Sequence, residues 1–381
     1  MRAARNIVNS LFSVTASHLA ALSPSVGADV YKAVRSFTAF MGRPLPEELD
    51  PRVVHGTIEL IADGLRRTPY GSPLELEYPL FITLSAQSYC PFACTNCYSN
   101  SGVAKARGRT DDRMQLFAKV AAARTPFVIV SGGEPLVAEG IEDGLELLVD
   151  SGKFVWVSTN ALVDKHVEFA RRNEGSLCFI LPVWGNRERH NSRRGVNSFE
   201  RVERNLEMLN AAGQKANILV VLADDDFSVF VDVERLLRTY RVDVVTITRR
   251  IDTGRVEAGP FELRPDLSRR LELWQKKLKP HVRMVVCDLP EMQEAKGSSR
   301  MQRMLGLPSH NGCSAGNWMM HIDDAGQGYA CFSFEGQQDQ SIAGHVSIAE
   351  QWRAVRDLRA EFPTGALCVE QSRARQEGVA L

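Results

Sequence analysis

Cys90, Cys94 and Cys97 stand in the run Ser88-Tyr-Cys-Pro-Phe-Ala-Cys-Thr-Asn-Cys-Tyr98, a C-x3-C-x2-C triplet that begins just after the apolar segment Leu80–Leu84. A structural zinc site closes with four ligands, and no neighbouring histidine or further cysteine supplies the fourth. Three thiolates cannot satisfy the four irons of a cubane cluster, so one iron stays open to a non-protein ligand. An open iron is a reaction site. Further along, Val128-Ile-Val-Ser-Gly-Gly-Glu-Pro135 ends a β-branched run in two glycines, an acid and a proline. Glycine lets a backbone approach a ligand closely, and proline suits the first position of a helix.

The elements that must position these residues read as alternating strands and helices. Strand candidates are Leu80–Ala86, Phe127–Ser131, Phe154–Ser158, Cys178–Val183, Ala216–Leu222 and Val242–Thr248, all rich in Val, Ile and Phe. Helices are expected at Asp111–Ala123, Gly140–Ser151, Leu162–Arg172, Ser198–Ala212 with Asn197 as N-cap, and Val229–Tyr240. Six parallel strands joined by right-handed crossovers make a complete or partial α/β barrel. Chemistry in such barrels gathers at the C-terminal strand ends. The cysteine run follows the first strand, Gly-Gly-Glu-Pro the second, Ser158-Thr-Asn160 the third and Trp184-Gly-Asn186 the fourth, so four motifs share one rim. Residues 1–75 read as a helical extension, with helices at Asp29–Met41 and Pro51–Arg67 closed by Thr68-Pro-Tyr-Gly-Ser-Pro73. After Leu278 the alternation is expected to stop, which divides a core at 76–280 from a smaller irregular domain at 281–381.

Lys plus Arg and Asp plus Glu both number 46, so the formal net charge is zero and no field draws the 381-residue chain onto nucleic acid. Apolar runs are strand-sized and interrupted by charge, which excludes a spanning helix from the reading. Disulfide-dense chains are usually small and secreted, so eight cysteines in a chain this long point to metal or catalysis in the reducing cytoplasm. Met1–Ala28 carries Arg2 and Arg5 and no acid. That composition is transit-peptide-like, although Asn6, Asn9, Ser10, Thr15 and His18 break any signal-peptide core. Two readings stand for residues 1–42: an amphipathic helix packed on the domain, or a peripheral membrane contact with Ile7, Leu11, Phe12 and Val14 toward lipid.

Together the cysteine triplet and Gly-Gly-Glu-Pro resemble the radical S-adenosylmethionine (radical SAM) enzymes over about residues 77–280, and more loosely beyond. The resemblance implies a partial (β/α)6 barrel holding a [4Fe–4S] cluster on Cys90, Cys94 and Cys97. It implies that the open iron binds the amino and carboxylate groups of S-adenosylmethionine and that reduction yields a 5'-deoxyadenosyl radical. Gly132, Gly133, Glu134 and Pro135 then face the methionine part, with Glu134 toward the ammonium. Ser158 and Asn160 contact ribose, and Arg194, in His190-Asn-Ser-Arg-Arg-Gly-Val-Asn-Ser-Phe199, presents a fork of donors to the carboxylate. This stretch also reads as an exposed basic loop. Two departures stand out. Asn96 occupies a place that is often aromatic in the family, and Leu181-Pro-Val-Trp-Gly-Asn186 replaces the common Ser-x-Asp-Gly, leaving Trp184 to shape a substrate pocket or to join the core.

A second cysteine set resembles the SPASM and twitch auxiliary-cluster domains. Cys313, Gly326 and Cys331 follow the C-x(9–15)-G-x4-C pattern, and Ala343-Gly-His-Val346 and Ile348-Ala-Glu-Gln-Trp352 match the segment placed next. Arg250-Ile-Asp-Thr-Gly-Arg255 resembles the turn that precedes such domains. Only Cys368 follows, so the reading is a shortened, twitch-like α+β domain with one auxiliary cluster on Cys313, Cys331 and Cys368. Cys287, His310 or substrate supplies the fourth ligand, or the fold has lost its cluster. Cys178, inside a strand, reads as core.

The function implied is hydrogen abstraction from an unactivated C–H bond of a small molecule, peptide or lipid, with an external donor of ferredoxin or flavodoxin type. The auxiliary cluster then completes a two-electron oxidation or crosslink. The alternatives are a redox-neutral epimerase and, from another class, a non-catalytic iron–sulfur carrier or scaffold. A carrier has no need of Gly-Gly-Glu-Pro or a nucleoside pocket.

Overall fold

The computed structural model describes residues 49–68, 75–184, 186–214, 216–222, 229–250, 253–255, 266–278, 282–286, 315–337 and 341–360. The chain enters on helix α1 (Pro51–Arg67), started by Pro51 and by the Asp50 carboxylate, which accepts from the Arg52 amide at 2.8 Å. All six strands expected from the sequence form: β1 (Phe81–Ser85), β2 (Phe127–Ser131), β3 (Phe154–Ser158), β4 (Leu177–Trp184), β5 (Ala216–Leu222) and β6 (Val242–Arg249). Between them run α2 (Thr110–Ala122), α3 (Ile141–Asp150), α4 (Asp164–Arg172), α5 (Arg187–Arg194), α6 (Ser198–Ala211) and α7 (Val229–Thr239). α8 (Leu267–Gln275) follows β6. The expected helix at Asp29–Met41 and the membrane or packing readings of residues 1–42 lie outside the described residues.

Three further strands correct the expectation that the alternation stops at Leu278. β7 (Arg283–Val286) pairs parallel with β6, and β8 (Met319–Ile322) pairs parallel with β1, Phe81 opposite Met319 and Leu84 opposite Ile322. The sheet order is β7-β6-β5-β4-β3-β2-β1-β8-β9, with only β9 (Gly328–Tyr329) antiparallel. Arg283–Val286 is too short, and Met-Met-His-Ile too mixed, to announce strands by pattern alone. α9 (Ile348–Ala360) returns to the barrel, where the Trp352 indole donates to the Leu76 carbonyl at 2.9 Å.

The strands are buried on both faces, which explains their continuous apolar runs. One face packs under the helices, with Ile82, Leu84, Val128, Val130, Val155 and Val157 in a single core. The other lines the barrel interior. Its lower layer is aromatic: Phe81 stacks on Phe127 at 5.0 Å and Phe154 meets Trp156 edge-on at 4.6 Å. Val53, Ile58, Leu60 and Ile61 of α1 belong to the same cluster. Side chains two apart share a strand face, so Phe81 leads to Thr83 and Ser85, Phe127 to Ser131, and Phe154 to Ser158. The interior thus turns from aromatic to polar toward the C-terminal rim. Cys178, in β4, packs against this inner cluster beside Ile180 and accepts from the Asn217 amide at 3.3 Å, in keeping with its reading as a core residue.

Candidate active site

The cysteine loop is bound to the loop after β2 by main-chain hydrogen bonds. The Gly133 amide donates to the Gln87 carbonyl at 2.7 Å, and the Glu134 amide to the Tyr89 carbonyl at 3.1 Å. Gln87 returns its side-chain amide to the Glu134 carbonyl at 2.7 Å. A Cβ on Gly132 would lie 2.6 Å from the Gln87 carbonyl oxygen, and one on Gly133 would fall well inside contact with Tyr89 backbone. Both glycines are therefore required by loop-against-loop packing, a demand that the sequence reading assigned to the ligand alone. Gly132 also sits at φ 106°, a conformation costly for any residue with a side chain.

Glu134 is buried, and its carboxylate accepts from the Thr159 hydroxyl, from the Asn160 amide at 2.8 Å and from the Leu136 amide at 3.3 Å. Burial pushes its pKa up, while these donors and the Arg194 charge act against that shift. The carboxylate thereby braces the ends of β2 and β3. Arg194 donates to the Asn160 side-chain oxygen at 3.3 Å and to the Pro182 carbonyl at 3.1 Å. Glu134, Asn160 and Arg194, expected together on the rim, are brought together there, and Ser158 closes β3 beside them.

Arg194 ends a helix, not the exposed basic loop that its polar sequence also allowed. Asn186 starts α5 by accepting from the Arg189 amide at 3.0 Å. His190 is buried, accepts from the Trp184 amide at 3.0 Å and meets Phe199 edge-on. Burial, with Arg194 and Arg201 nearby, lowers its pKa to about 2, so the imidazole is neutral. Asn197 does not cap α6 as expected: it adopts φ 58°, and Asn191 accepts from the Phe199 amide instead, at 2.7 Å.

Further residues that the sequence reading missed hold the cysteine loop. The Arg255 amide donates to the Cys97 carbonyl at 2.9 Å, and its guanidinium to the Cys94 and Ser101 carbonyls at 3.1 and 2.6 Å. Thr253 donates to the Tyr98 carbonyl at 3.1 Å. A Cβ on Gly254 would press into the Cys97 and Tyr98 carbonyls. The Thr253-Gly254-Arg255 turn, expected as a lead-in to the auxiliary domain, is thus a clamp on the cysteine loop. The Thr95 amide reaches the Arg193 carbonyl at 2.8 Å, and buried Arg113 holds the Ala86 carbonyl at 3.0 Å.

Cys90 is buried and its pKa is pushed up to about 12, first by burial, with Glu134, Cys94 and Cys97 adding repulsion. A buried thiol raised in this way beside two further cysteines forms a donor set suited to a cationic iron cluster, whose charge would remove the penalty. Among the described residues no group of three or more His, Cys, Asp and Glu is arranged to hold a single metal ion. A cubane asks for a different arrangement, with each thiolate on its own iron.

Across the rim, β8 contributes a second polar cluster. Buried His321 contacts the Thr83 hydroxyl at 2.9 Å and the Glu335 carboxylate at 3.0 Å, and Ser85 donates to the same oxygen of Glu335 at 3.4 Å. Tyr98, directly after Cys97, meets Phe332 edge-on at 5.2 Å, and Phe332 follows Cys331. Burial raises the Tyr98 phenol to about 12. Cys331 is partly exposed, whereas Cys313 and Cys368, and the fourth-ligand candidates Cys287 and His310, lie outside the described residues.

Residues 84–252 match the family model of the Radical SAM superfamily. This superfamily uses a [4Fe–4S] cluster and S-adenosylmethionine. An AdoMet-dependent heme synthase of Methanosarcina barkeri (strain Fusaro / DSM 804) is 29% identical over 139 residues, covering 35% of this chain and 40% of that protein. Among solved structures, Streptococcus suis SuiB bound to S-adenosylmethionine superposes with a TM-score of 0.60 at 16% identity, covering 80% of this chain and 72% of SuiB. SuiB bound to precursor peptide SuiA gives 0.62 at 17% identity over 83% and 73%. Native anSMEcpe with bound AdoMet gives 0.54 at 18% identity over 73% and 82%. These likenesses are of fold. Among the described residues no helix is long and apolar enough to cross a membrane.

Proposed function

We propose that the protein is a radical SAM enzyme that cleaves S-adenosylmethionine reductively and removes hydrogen from an unactivated C–H bond of a substrate held in the barrel. When bound, the cluster supplies the electron that breaks the carbon–sulfur bond and so the 5'-deoxyadenosyl radical. The observation that carries this reading is the meeting of Cys90, Glu134, Asn160 and Arg194 at one rim, on loops fixed to each other by backbone hydrogen bonds. Cys90, Cys94 and Cys97 hold the cluster. Arg194 fixes the methionine carboxylate, Ser158 and Asn160 the ribose, and Glu134 keeps the β2 and β3 ends in register around them. The aromatic floor closes the barrel from below and excludes water from the radical.

The substrate enters above that floor, where hydroxyls line the wall. A peptide is favoured among the candidate classes, because SuiB and anSMEcpe were both solved with peptides. The second cluster belongs to Cys313, Cys331 and Cys368; the Tyr98–Phe332 contact links the neighbourhoods of Cys97 and Cys331 and supports a two-electron outcome. The test is anaerobic reconstitution followed by reduction with dithionite. Stoichiometric methionine and 5'-deoxyadenosine are expected; an iron-loaded protein that leaves S-adenosylmethionine intact would instead be an electron carrier.

A further inference from the structure

The outer side of the cysteine loop has a character unlike the chain as a whole. From Tyr78 to Thr110 the sequence contains no acid, while Lys105, Arg107 and Arg109 are all present. Arg201 lies over the Phe92 ring at 4.6 Å and is coupled to Cys94 and to Arg204, and Arg107 lies over Tyr89 at 4.1 Å. Arg193, whose carbonyl receives the Thr95 amide, lies over Trp184. Among the described residues Lys105, Arg107, Arg193 and Arg204 form no ion pair. Two neighbouring acids are engaged elsewhere: Asp324 accepts from Ser88, and Glu200 from Arg187 and Asn191.

Within this basic rim stand two exposed aliphatic side chains. Val103 is 68% and Val196 81% exposed. Val103 follows Gly102, whose carbonyl accepts from the Cys90 amide, and Val196 lies three residues past Arg193. In the cysteine loop itself Pro91, Ala93 and Thr95 are exposed, and Cys94 is partly so. An apolar centre, a rim of one sign and a redox loop just beneath are the features of a small, transient electron-transfer interface.

We propose that this surface docks an acidic one-electron carrier protein, with Val103 and Val196 at the centre and Lys105, Arg107, Arg193 and Arg204 on the rim. This rests on the reading of Cys90, Cys94 and Cys97 as cluster ligands. The carrier loses one electron and the cluster gains it; no proton or group moves. Charge steers the encounter, and the partly exposed Cys94 and Cys97 lie beneath the docking surface.

A flavodoxin serves as the probe. Its affinity for the reconstituted full chain is measured at low and high salt, for wild type, for the double variant Lys105→Glu/Arg204→Glu and for Val196→Asp. All three sites are exposed, so the fold should be kept. Affinity at low salt should fall at least about tenfold in the double variant, with the difference vanishing at high salt. Val196→Asp should weaken binding at both salts. Flavodoxin-driven 5'-deoxyadenosine formation should fall in parallel, while dithionite-driven formation matches wild type. Equal affinities, or a wild type that does not bind flavodoxin, overturn the docking surface. Loss of dithionite-driven cleavage in wild type would count against the enzyme reading instead, and the affinity comparison still decides the surface.

Discussion

The loop bearing Cys90, Cys94 and Cys97 and the turn bearing Cys331 lie on the same rim and are held in different ways. The first is fastened from many sides, by the Gly-Gly-Glu-Pro loop, by Thr253–Arg255, by Arg113 and by the end of α5. The second hangs from strand β8, which joins the sheet beside β1, and is tied by buried side chains: His321 to Thr83 and Glu335, and Tyr329 to Asp323 at 3.0 Å. Backbone carbonyls dominate the first set of contacts and side chains the second. A loop held through its carbonyls keeps its shape whatever its side chains bind, which suits the cluster-ligand role proposed for its cysteines. A turn held through side chains depends on its strand, and its cysteine is only as well placed as β8.

The largest expected effect separates the two regions outright. Cys94→Ala should abolish S-adenosylmethionine cleavage, because two thiolates leave the first cluster underligated; full 5'-deoxyadenosine formation by that variant would falsify the assignment. The double variant Cys313→Ala/Cys331→Ala should instead keep cleavage and contain about half the iron, on the premise of one cluster per cysteine set. Iron equal to wild type would show that the second region holds no cluster and would favour redox-neutral chemistry.

The clamp can be tested without touching a cysteine. Gly254→Ala places a methyl group against the Cys97 and Tyr98 carbonyls at a backbone φ of +66°. Overpacking of this kind costs about 1–3 kcal/mol, and iron retention at the first site should drop while the second site keeps its share. A variant with the iron content and cleavage rate of wild type would mean that the turn is dispensable.

Glu134 and Arg194 distinguish bracing from binding. Glu134→Ala leaves the Thr159 hydroxyl and the Asn160 amide without their acceptor, so chemical denaturation should show a loss of about 1–3 kcal/mol. Arg194→Ala should leave stability nearer wild type and weaken S-adenosylmethionine binding by about 1.5–3 kcal/mol, as for a hydrogen bond to a charged group. Weaker binding with unchanged stability in Glu134→Ala would make that carboxylate a ligand contact instead.

The smallest effect is a pH dependence. His190 stays neutral when folded, with its pKa held near 2, whereas the unfolded chain takes up a proton below about 6.5. The unfolded state therefore binds more protons between those values, and stability falls as pH drops through that window. The slope reaches at most about 1.4 kcal/mol per pH unit. Urea unfolding of His190→Gln should lack that component, and an identical pH profile in both proteins would show that the imidazole is not buried neutral.

How much of this was legible depended on whether a feature is local. The cysteine triplet, Gly-Gly-Glu-Pro and the six strands were readable because each rests on a short run of residue types: thiols at fixed spacing, glycines before proline, unbroken Val, Ile and Phe. α5 was not, since Arg187-Glu-Arg-His-Asn-Ser-Arg-Arg194 has no apolar period; its burial comes from His190 alone, turned under Phe199. The roles of Arg255 and Arg113 were likewise invisible, because an arginine that donates to distant carbonyls carries no local signature.

By itself the sequence determined which atoms can do chemistry, since thiolate, carboxylate and guanidinium are properties of residues and spacing sets their order along the rim. Tertiary structure alone decided how they are used. It committed the Glu134 carboxylate to internal donors and turned Thr253–Arg255 into a clamp. It brought β8 beside β1, so that His321 and Glu335 face the same rim as the cysteines. The reason is physical: a hydrogen bond depends on distance and direction in space, and residues more than two hundred positions apart meet only after the sheet has closed around them.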